Sequence, residues 1–262
     1  MKVIKTIFKS IDVAFSIYSK IPMPRFEWDS EDMKYHMCFF PWVGAVIGMI
    51  LYLWNRFCVW NEIEGILYPL MAASIPLLVT GGFHLDGYMD TMDALHSYQK
   101  KEKKLEILKD PHIGAFSVIM AAVYGLMYTG FLSEIRDVKA FGIICCSFFV
   151  SRCLSGISVM TFQAAKKNGM LNVFSTTAEK RIVTIFLVLE LIAAIAFMFF
   201  ISPFYTLVAV CFEVLVFLYY KHMSIKQFGG ITGDLAGFFV CVAELAAVMS
   251  VSLAVIISAG RS

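Results

Sequence analysis

The sequence predicts an all-α integral membrane protein, a bundle of about seven transmembrane helices with an amphipathic helix at the N-terminus. Of the 262 residues, 59% are hydrophobic and only 16% are charged, and the mean hydropathy is +0.75. Soluble domains carry about 25% charged residues. The charges here cluster between uncharged runs, and each run is near the roughly 20 residues that a helix needs to cross the hydrocarbon core.

Seven apolar runs account for most of the chain after residue 36. They are Met37–Trp54, Gly65–Phe83, Ile113–Ser133, Ala140–Phe162, Ile182–Ile201, Phe204–Tyr220 and Leu235–Ala259. Only Ser202 and Pro203 separate the fifth run from the sixth. We expect residues 1–262 to form a single membrane domain, in which residues 1–36 are cytoplasmic or interfacial and residues 37–262 form the helix bundle.

Residues 3–18 show the periodicity of an amphipathic helix. Ile7, Phe8 and Phe15 fall on one helical stripe, whereas Lys5 and Lys9 lie off it. This pattern predicts either a helix lying in the membrane interface or an ordinary helix packed on the bundle. Both alternatives stay open at this point.

The distribution of lysine and arginine predicts the orientation in the membrane. Alternate connections carry 17 of these residues on one side and four on the other. Because connections rich in lysine and arginine stay in the cytoplasm, we expect a cytoplasmic N-terminus and an external C-terminus. The connections 81–112, 163–181 and 221–234 are then all cytoplasmic.

Residues 81–95 read GGFHLDGYMDTMDAL and place three acids at the edge of the second run. On a helix Asp86, Asp90 and Asp93 fall within an arc of about 60° on one face. Like charges at this spacing repel one another, and Mg²⁺, which prefers oxygen ligands and often joins carboxylates to substrate phosphates, would compensate them. The alternative is a solvated charged face.

Residues 109–112 form a second candidate feature. We expect Asp110 to cap the third transmembrane helix and Pro111 to occupy its first turn. Lys109 and His112 then lie at a helix N-terminus, where backbone N–H groups favour phosphate. Plain helix capping is the alternative for Asp110.

A glycine-rich turn, residues 229–234, precedes the last run in a similar way. The Gly233 backbone has room to approach a phosphate, and Asp234 is a candidate metal ligand. A simple turn into a helix is the alternative interpretation of this stretch.

Two intramembrane features carry packing information. The G-x-x-x-G spacing of Gly44 and Gly48 predicts a close helix contact. Arg152 lies inside an apolar run, where a charge needs an acid or a ligand as partner. Substrate binding, snorkelling to the membrane edge and pairing with Glu190 are the alternatives.

Several ordered motifs resemble those of the adenosylcobinamide-GDP ribazoletransferase (cobalamin synthase) family. They are SKIPMP, FFPWVGAVIG, GGFHLDGYMDTMDAL, EILKDPHIGAF, the arginine of SRC, KKNGMLNVF and GGITGDLAGFFVCVAEL, and together they span most of the chain. The chain departs from the usual pattern at Ala94, where the family has glycine, at Met170-Leu171, which interrupts what is often G-L-G, at His112, where many members have arginine, and at Leu235, where threonine is usual.

The resemblance implies a late step of cobalamin synthesis. Adenosylcobinamide-GDP would react with α-ribazole or its 5′-phosphate, and GMP would leave, with Mg²⁺ as cofactor, in the inner (plasma) membrane of a bacterium. It implies that Asp86 and Asp90 hold Mg²⁺ on the diphosphate and that Asp93 is a third ligand or the general base. His84 would contact phosphate or make a helix-start hydrogen bond.

The expected partners are the two substrates and the lipid bilayer, with no nucleic acid. A homo-oligomer and association with other corrinoid-assembly enzymes both stay open. Two other function classes also stay open. One is another membrane alcohol phosphotransferase or prenyltransferase that uses a diphosphate substrate. The other is a transporter in which Arg152, Glu190, Glu213 and Glu244 form a relay.

Overall fold

The computed structural model describes residues 2–24, 28–29, 31–165 and 178–259. Within these ranges the regular elements are helical, and the single β-bridge joins Ala164 to Ile231. The α-helices are α1 (Lys2–Tyr18), α2 (Phe40–Trp60), α3 (Leu67–Thr80), α4 (Phe83–His96), α5 (Lys101–Ile107), α6 (Ala115–Ser133), α7 (Val138–Thr161), α8 (Lys180–Ile201), α9 (Pro203–Phe228) and α10 (Gly233–Ala259). The predicted all-α class is confirmed.

Six of the described helices are long and apolar enough to cross a membrane, and they confirm the prediction of a polytopic membrane protein. They are α2 with the short turn before it, α6, α7, α8, α9 and α10. The break between the fifth and sixth predicted runs is real. Ser202 accepts a hydrogen bond from the Tyr205 N–H at 3.5 Å and so caps α9, which begins at Pro203.

The second predicted run differs from the structure. In place of one segment over Gly65–Phe83, α3 has 14 residues, which corresponds to about 21 Å and is shorter than a typical hydrocarbon core. Gly81 and Gly82 then adopt left-handed φ angles of 64° and 78°, which side chains disfavour. Because α4 leaves this turn at 96° to α3, the aspartates lie on a separate helix that bends away from α3.

One end of the bundle gathers parts of several helices. The start of α2, the start of α4, the end of α7 and the start of α10 line a common cavity. Since α2 and α4 both start at this end of the bundle, α3 must run back towards it from the end of α2. The helices therefore alternate as expected for seven passes, although α3 is short.

The contact between α2 and α7 confirms the predicted role of the glycine pair. A side chain on Gly44 would overlap the carbonyl group of Phe148, and one on Gly48 would overlap the carbonyl group of Cys145. These glycines therefore let the two helix backbones approach closely, as small residues do in membrane bundles.

The N-terminal helix α1 packs on the bundle, which was one of its two predicted alternatives, and its position in the membrane interface stays a prediction. Its C-terminal half packs against the bundle, with Val13 and Ala14 fully buried and Tyr18 nearly so. Ile7 and Phe8 are exposed by 43% and 68%, and they present an apolar surface at the periphery.

Candidate functional site

The three aspartates of the acidic stretch all lie on α4. Asp86 is exposed, whereas Asp90 and Asp93 are half-buried. This helix packs closely on the first turn of α10, because a side chain on Gly87 would overlap the Asp234 backbone. Gly237 of α10 similarly lies against the His84 backbone.

The close packing of α4 on α10 brings a fourth carboxylate to the cluster. Burial, together with the charges of Asp86, Asp234 and Asp93, raises the pKa of Asp90 to about 6. In the described part of the chain, none of these four carboxylates forms an ion pair with a lysine, arginine or histidine. The site thus carries an excess of negative charge that a bound cation would offset.

The chemistry of these oxygens fits a hard divalent cation. Among the described residues, no three His, Cys, Asp or Glu side chains are placed as a complete ligand set. Mg²⁺ seldom needs one, since it usually takes one or two carboxylates and completes its shell with water and substrate phosphate. Asp86, Asp90, Asp93 and Asp234 are the carboxylates that could each supply an oxygen ligand to such an ion.

Asp93 has a distinct environment at the N-terminus of α6. Its Oδ1 accepts a hydrogen bond from the Ser117 N–H at 3.1 Å, and the Ser117 hydroxyl donates to the Met89 carbonyl at 3.0 Å. A side chain on Gly114 would overlap the Asp93 carboxylate. The first turn of α6 therefore orients Asp93, an arrangement that the sequence did not reveal.

The predicted start of the third transmembrane helix is wrong. The helix begins at Ala115, four residues after Pro111, and Asp110 does not cap it. Asp110 instead accepts hydrogen bonds from the backbone N–H of His112 at 3.0 Å and from its Nδ1 at 2.6 Å. Lys109 and His112 are exposed, and neither is paired with an α4 aspartate in the described structure.

A polar cleft next to Asp86 contains a residue that sequence reasoning missed. The cleft encloses about 860 Å³ including its open mouth, and Lys20, Gly81, Gly82 and Asp86 are among its lining residues. The Lys20 side chain lies over Gly81, and its backbone N–H donates to the Val79 carbonyl at 2.8 Å. The available signal was the lysine of the SKIPMP motif.

Arg152 is fully buried and pairs with Glu244, so the alternatives of snorkelling and of pairing with Glu190 are both wrong. Its guanidinium donates to Glu244 Oε1 at 2.6 Å and to the Phe148 carbonyl at 2.8 Å. Glu190 instead accepts a hydrogen bond from Trp42 Nε1 at 2.8 Å. Substrate binding, the other alternative for Arg152, stays a prediction, and the two partners of the guanidinium argue against it.

His84 lies inside the bundle end and does not face the aspartates' side of α4. It is 6% exposed, its ring lies 5.7 Å from the Phe40 ring and 5.5 Å from the Phe83 ring, and Nε2 has no hydrogen-bond partner in the described residues. The helix-start hydrogen bond predicted as one alternative is not made by this atom.

The turn before α10 confirms the predicted helix start. Gly233 is the first residue of α10, and the Thr232 hydroxyl accepts from the Leu235 N–H at 3.2 Å. Just before it, Ile231 exchanges backbone hydrogen bonds of 2.9 Å with Gln163 and Ala165. The connection 163–181 thus begins beside this turn, although residues 166–177, including KKNGMLNVF, lie outside the described residues.

Comparison with known proteins provides independent information. Residues 10–252 match the family described as cobalamin-5-phosphate synthase. A curated relative from Lachnoclostridium phytofermentans, named adenosylcobinamide-GDP ribazoletransferase, is 46% identical over 94% of both chains. A relative of the same name from Clostridium perfringens strain SM101 is 30% identical over 94% of this chain and 98% of its own. No solved structure matches the chain.

Proposed function

The chain belongs to the cobalamin-5-phosphate synthase family, and we propose that its four clustered aspartates perform the family's transfer of a corrinoid phosphate. The chain joins adenosylcobinamide-GDP to α-ribazole or its 5′-phosphate and releases GMP. The observation that carries the proposal is the convergence of Asp86, Asp90, Asp93 and Asp234 from two helices at one end of a membrane bundle.

The reaction makes and breaks bonds at phosphorus, so positioning and charge neutralisation dominate its catalysis. When bound, Mg²⁺ would neutralise charge on the diphosphate. Asp86, Asp90 and Asp234 would hold the ion at the cluster. Lys20 lines the cleft that also contains Asp86, and its ammonium group binds the diphosphate there as a point charge.

The orientation of Asp93 suits either of the roles left open by the sequence. Its Oδ1 accepts a hydrogen bond from the Ser117 N–H, which restrains the orientation of the carboxylate. The second oxygen takes the proton of the attacking ribose hydroxyl, or it adds a ligand to the ion. Both roles need a carboxylate held in one orientation, which the first turn of α6 supplies.

We place this site on the cytoplasmic side of a bacterial plasma membrane. The support is the excess of lysine and arginine on the connections that adjoin the site, 17 against four on the other side. The charged diphosphate of adenosylcobinamide-GDP also favours the cytoplasm, since such a group does not cross a bilayer unaided.

GMP release measured against Mg²⁺ concentration tests the proposal. Purified wild-type protein should release GMP only when both substrates and Mg²⁺ are present. Asp86→Asn and Asp90→Asn keep side-chain size and should lower turnover by orders of magnitude, since a metal ion supplies several kcal/mol of charge stabilisation. Residual activity should need more Mg²⁺.

The matched control removes a charge at the opposite end of the bundle. Glu64 is exposed there, and Glu64→Gln should leave turnover and Mg²⁺ dependence unchanged. Near-normal turnover in both aspartate variants would mean that the acids are only a solvated helix face.

A further inference from the structure

A second cavity lies beside the acidic cluster, and its chemistry differs from that of the polar cleft. It encloses about 500 Å³ including its open mouth, and its lining is almost wholly apolar. Tyr18, Phe40 and Phe83 contribute aromatic rings, and Val159 and Gly237 close other sides. Nothing in the reaction described so far uses this space.

His84 provides the cavity with an unused hydrogen-bonding atom. Its side chain is one of the lining residues and is 6% exposed, yet Nε2 has no partner in the described residues. The aromatic hydroxyl of the lining is already engaged, because Tyr18 donates to Met37 Sδ at 3.2 Å. A buried polar atom without a partner costs free energy, so a ligand group that accepted a hydrogen bond from Nε2 would be favoured there.

We propose that this cavity binds the benzimidazole base of α-ribazole, with His84 Nε2–H donating a hydrogen bond to the unsubstituted ring nitrogen of the base. The inference rests on the proposed function and names the residues that select the second substrate. Both the imidazolium and the Nε2–H tautomer of neutral imidazole donate from this atom, so the contact does not depend on the charge of His84.

The number of hydrogen-bonding groups on each base explains why the apolar cavity suits benzimidazole better than the guanine of the other substrate. Benzimidazole is a flat, fused ring system with one free acceptor nitrogen. Guanine presents two acceptors on one edge alone, and its other edge adds donors. An apolar lining would leave most of these groups unpaired, whereas benzimidazole needs one donor and aromatic walls such as Phe40 and Phe83.

The position of the cavity also fits the geometry of the reaction. Gly233 lines the cavity and directly precedes Asp234, whose charge acts on Asp90. Phe83 forms part of the wall of both the apolar cavity and the polar cleft that contains Lys20 and Asp86. A ribose attached to a base in the cavity would therefore emerge beside the carboxylates and the diphosphate.

The test compares two ligands on two proteins by calorimetric binding. One ligand is α-ribazole, and the other is its indole analogue, in which a C–H replaces the free ring nitrogen. Wild-type protein should bind the indole analogue about tenfold more weakly, the effect of one lost hydrogen bond. His84→Phe keeps ring size, and it should bind both ligands with equal affinity and leave the affinity for adenosylcobinamide-GDP unchanged.

Two further variants guard against indirect effects. His96 lies at the other end of α4, where it stacks on Phe116 at 4.8 Å, so His96→Phe should keep the tenfold preference for α-ribazole. Val159→Trp fills the cavity and should abolish α-ribazole binding while corrinoid-GDP still binds.

The possible results separate this inference from the proposed function. Suppose that the wild type releases GMP, but that wild type and His84→Phe show the same ratio of affinities for α-ribazole and its indole analogue. The base then does not bind in this cavity, and only the inference is overturned. Weakened corrinoid-GDP binding with unchanged α-ribazole binding would assign the cavity to the other substrate and also overturn it. Failure of the wild type to release GMP would overturn the proposed function, whereas the preference for α-ribazole that depends on His84 would still be decided by the binding measurements.

Discussion

Removal of Arg152 should destabilise the fold far more than it alters substrate binding. Arg152 and Glu244 are 1% and 5% exposed, and their charged groups are 2.6 Å apart. Arg152→Met preserves much of the buried volume but leaves the Glu244 carboxylate without its cation. Loss of one partner of a buried pair costs about 3–5 kcal/mol, so we expect the free energy of unfolding to fall by that amount.

A second change should reverse most of the loss. In the double variant Arg152→Met with Glu244→Leu, no buried charge remains, and replacement of such a pair by apolar residues is often neutral or stabilising. Arg136→Met is the matched control. Arg136 is exposed, donates to the Glu64 carbonyl at 3.1 Å and lies over the Tyr68 ring, so its loss should cost about 1 kcal/mol.

The assay is equilibrium unfolding of the detergent-solubilised variants, combined with the KM for adenosylcobinamide-GDP of the folded fraction. We expect the single variant to unfold readily, the double variant to resemble wild type, and the KM to stay unchanged in both. If Arg152→Met unfolds like wild type while the KM rises tenfold or more, Arg152 contacts substrate and the reasoning from its burial is refuted.

Three further outcomes are expected. Tyr98, which is 86% exposed, should be cytoplasmic, so that Tyr98→Cys in a cysteine-free background resists an impermeant thiol reagent in intact cells; labelling there would reverse the assigned orientation. Lys20→Ala should raise the KM for adenosylcobinamide-GDP about tenfold without lowering protein abundance, whereas exposed Lys109→Ala should not; equal effects would remove the cleft from the site. Because burial and neighbouring carboxylates raise the pKa of Asp90 to about 6, protons should compete with Mg²⁺ below that pH, and the Mg²⁺ concentration for half-maximal activity should rise by up to about tenfold per pH unit; a flat profile from pH 7 to pH 5 would contradict the assignment of Asp90 as a ligand.

Local patterns were sufficient for the features that depend on neighbouring residues in the chain. The apolar runs predicted the spanning helices because hydrophobic length is a property of a continuous segment. The spacing of Asp86, Asp90 and Asp93 placed them on one helix because helical periodicity is also local. The Gly44 and Gly48 spacing predicted a close contact, but the partner helix, α7, became known only from the structure.

Local patterns misled where a distant residue supplied the partner. Asp110 precedes Pro111 in the usual order of a helix start, yet α6 begins at Ala115. The N–H of Ser117 is satisfied by Asp93 from another helix, which removes the need for a cap in the preceding residues. A capping pattern shows that a residue can accept a hydrogen bond from a helix N-terminus. It does not show whether another acceptor, from a different helix, satisfies that N–H group instead.

The sequence by itself determined the membrane class, the acidic helix and the family, since each is written in composition, periodicity or ordered motifs. Only the tertiary structure decided that Asp234 joins the α4 acids, that Lys20 lies in the cleft with Asp86, and that Glu244 is the partner of Arg152. These pairs are separated by long stretches of chain. Their contacts arise from the 96° turn at Gly81 and Gly82 and from close helix packing, which bring together residues whose spacing in the sequence has no period.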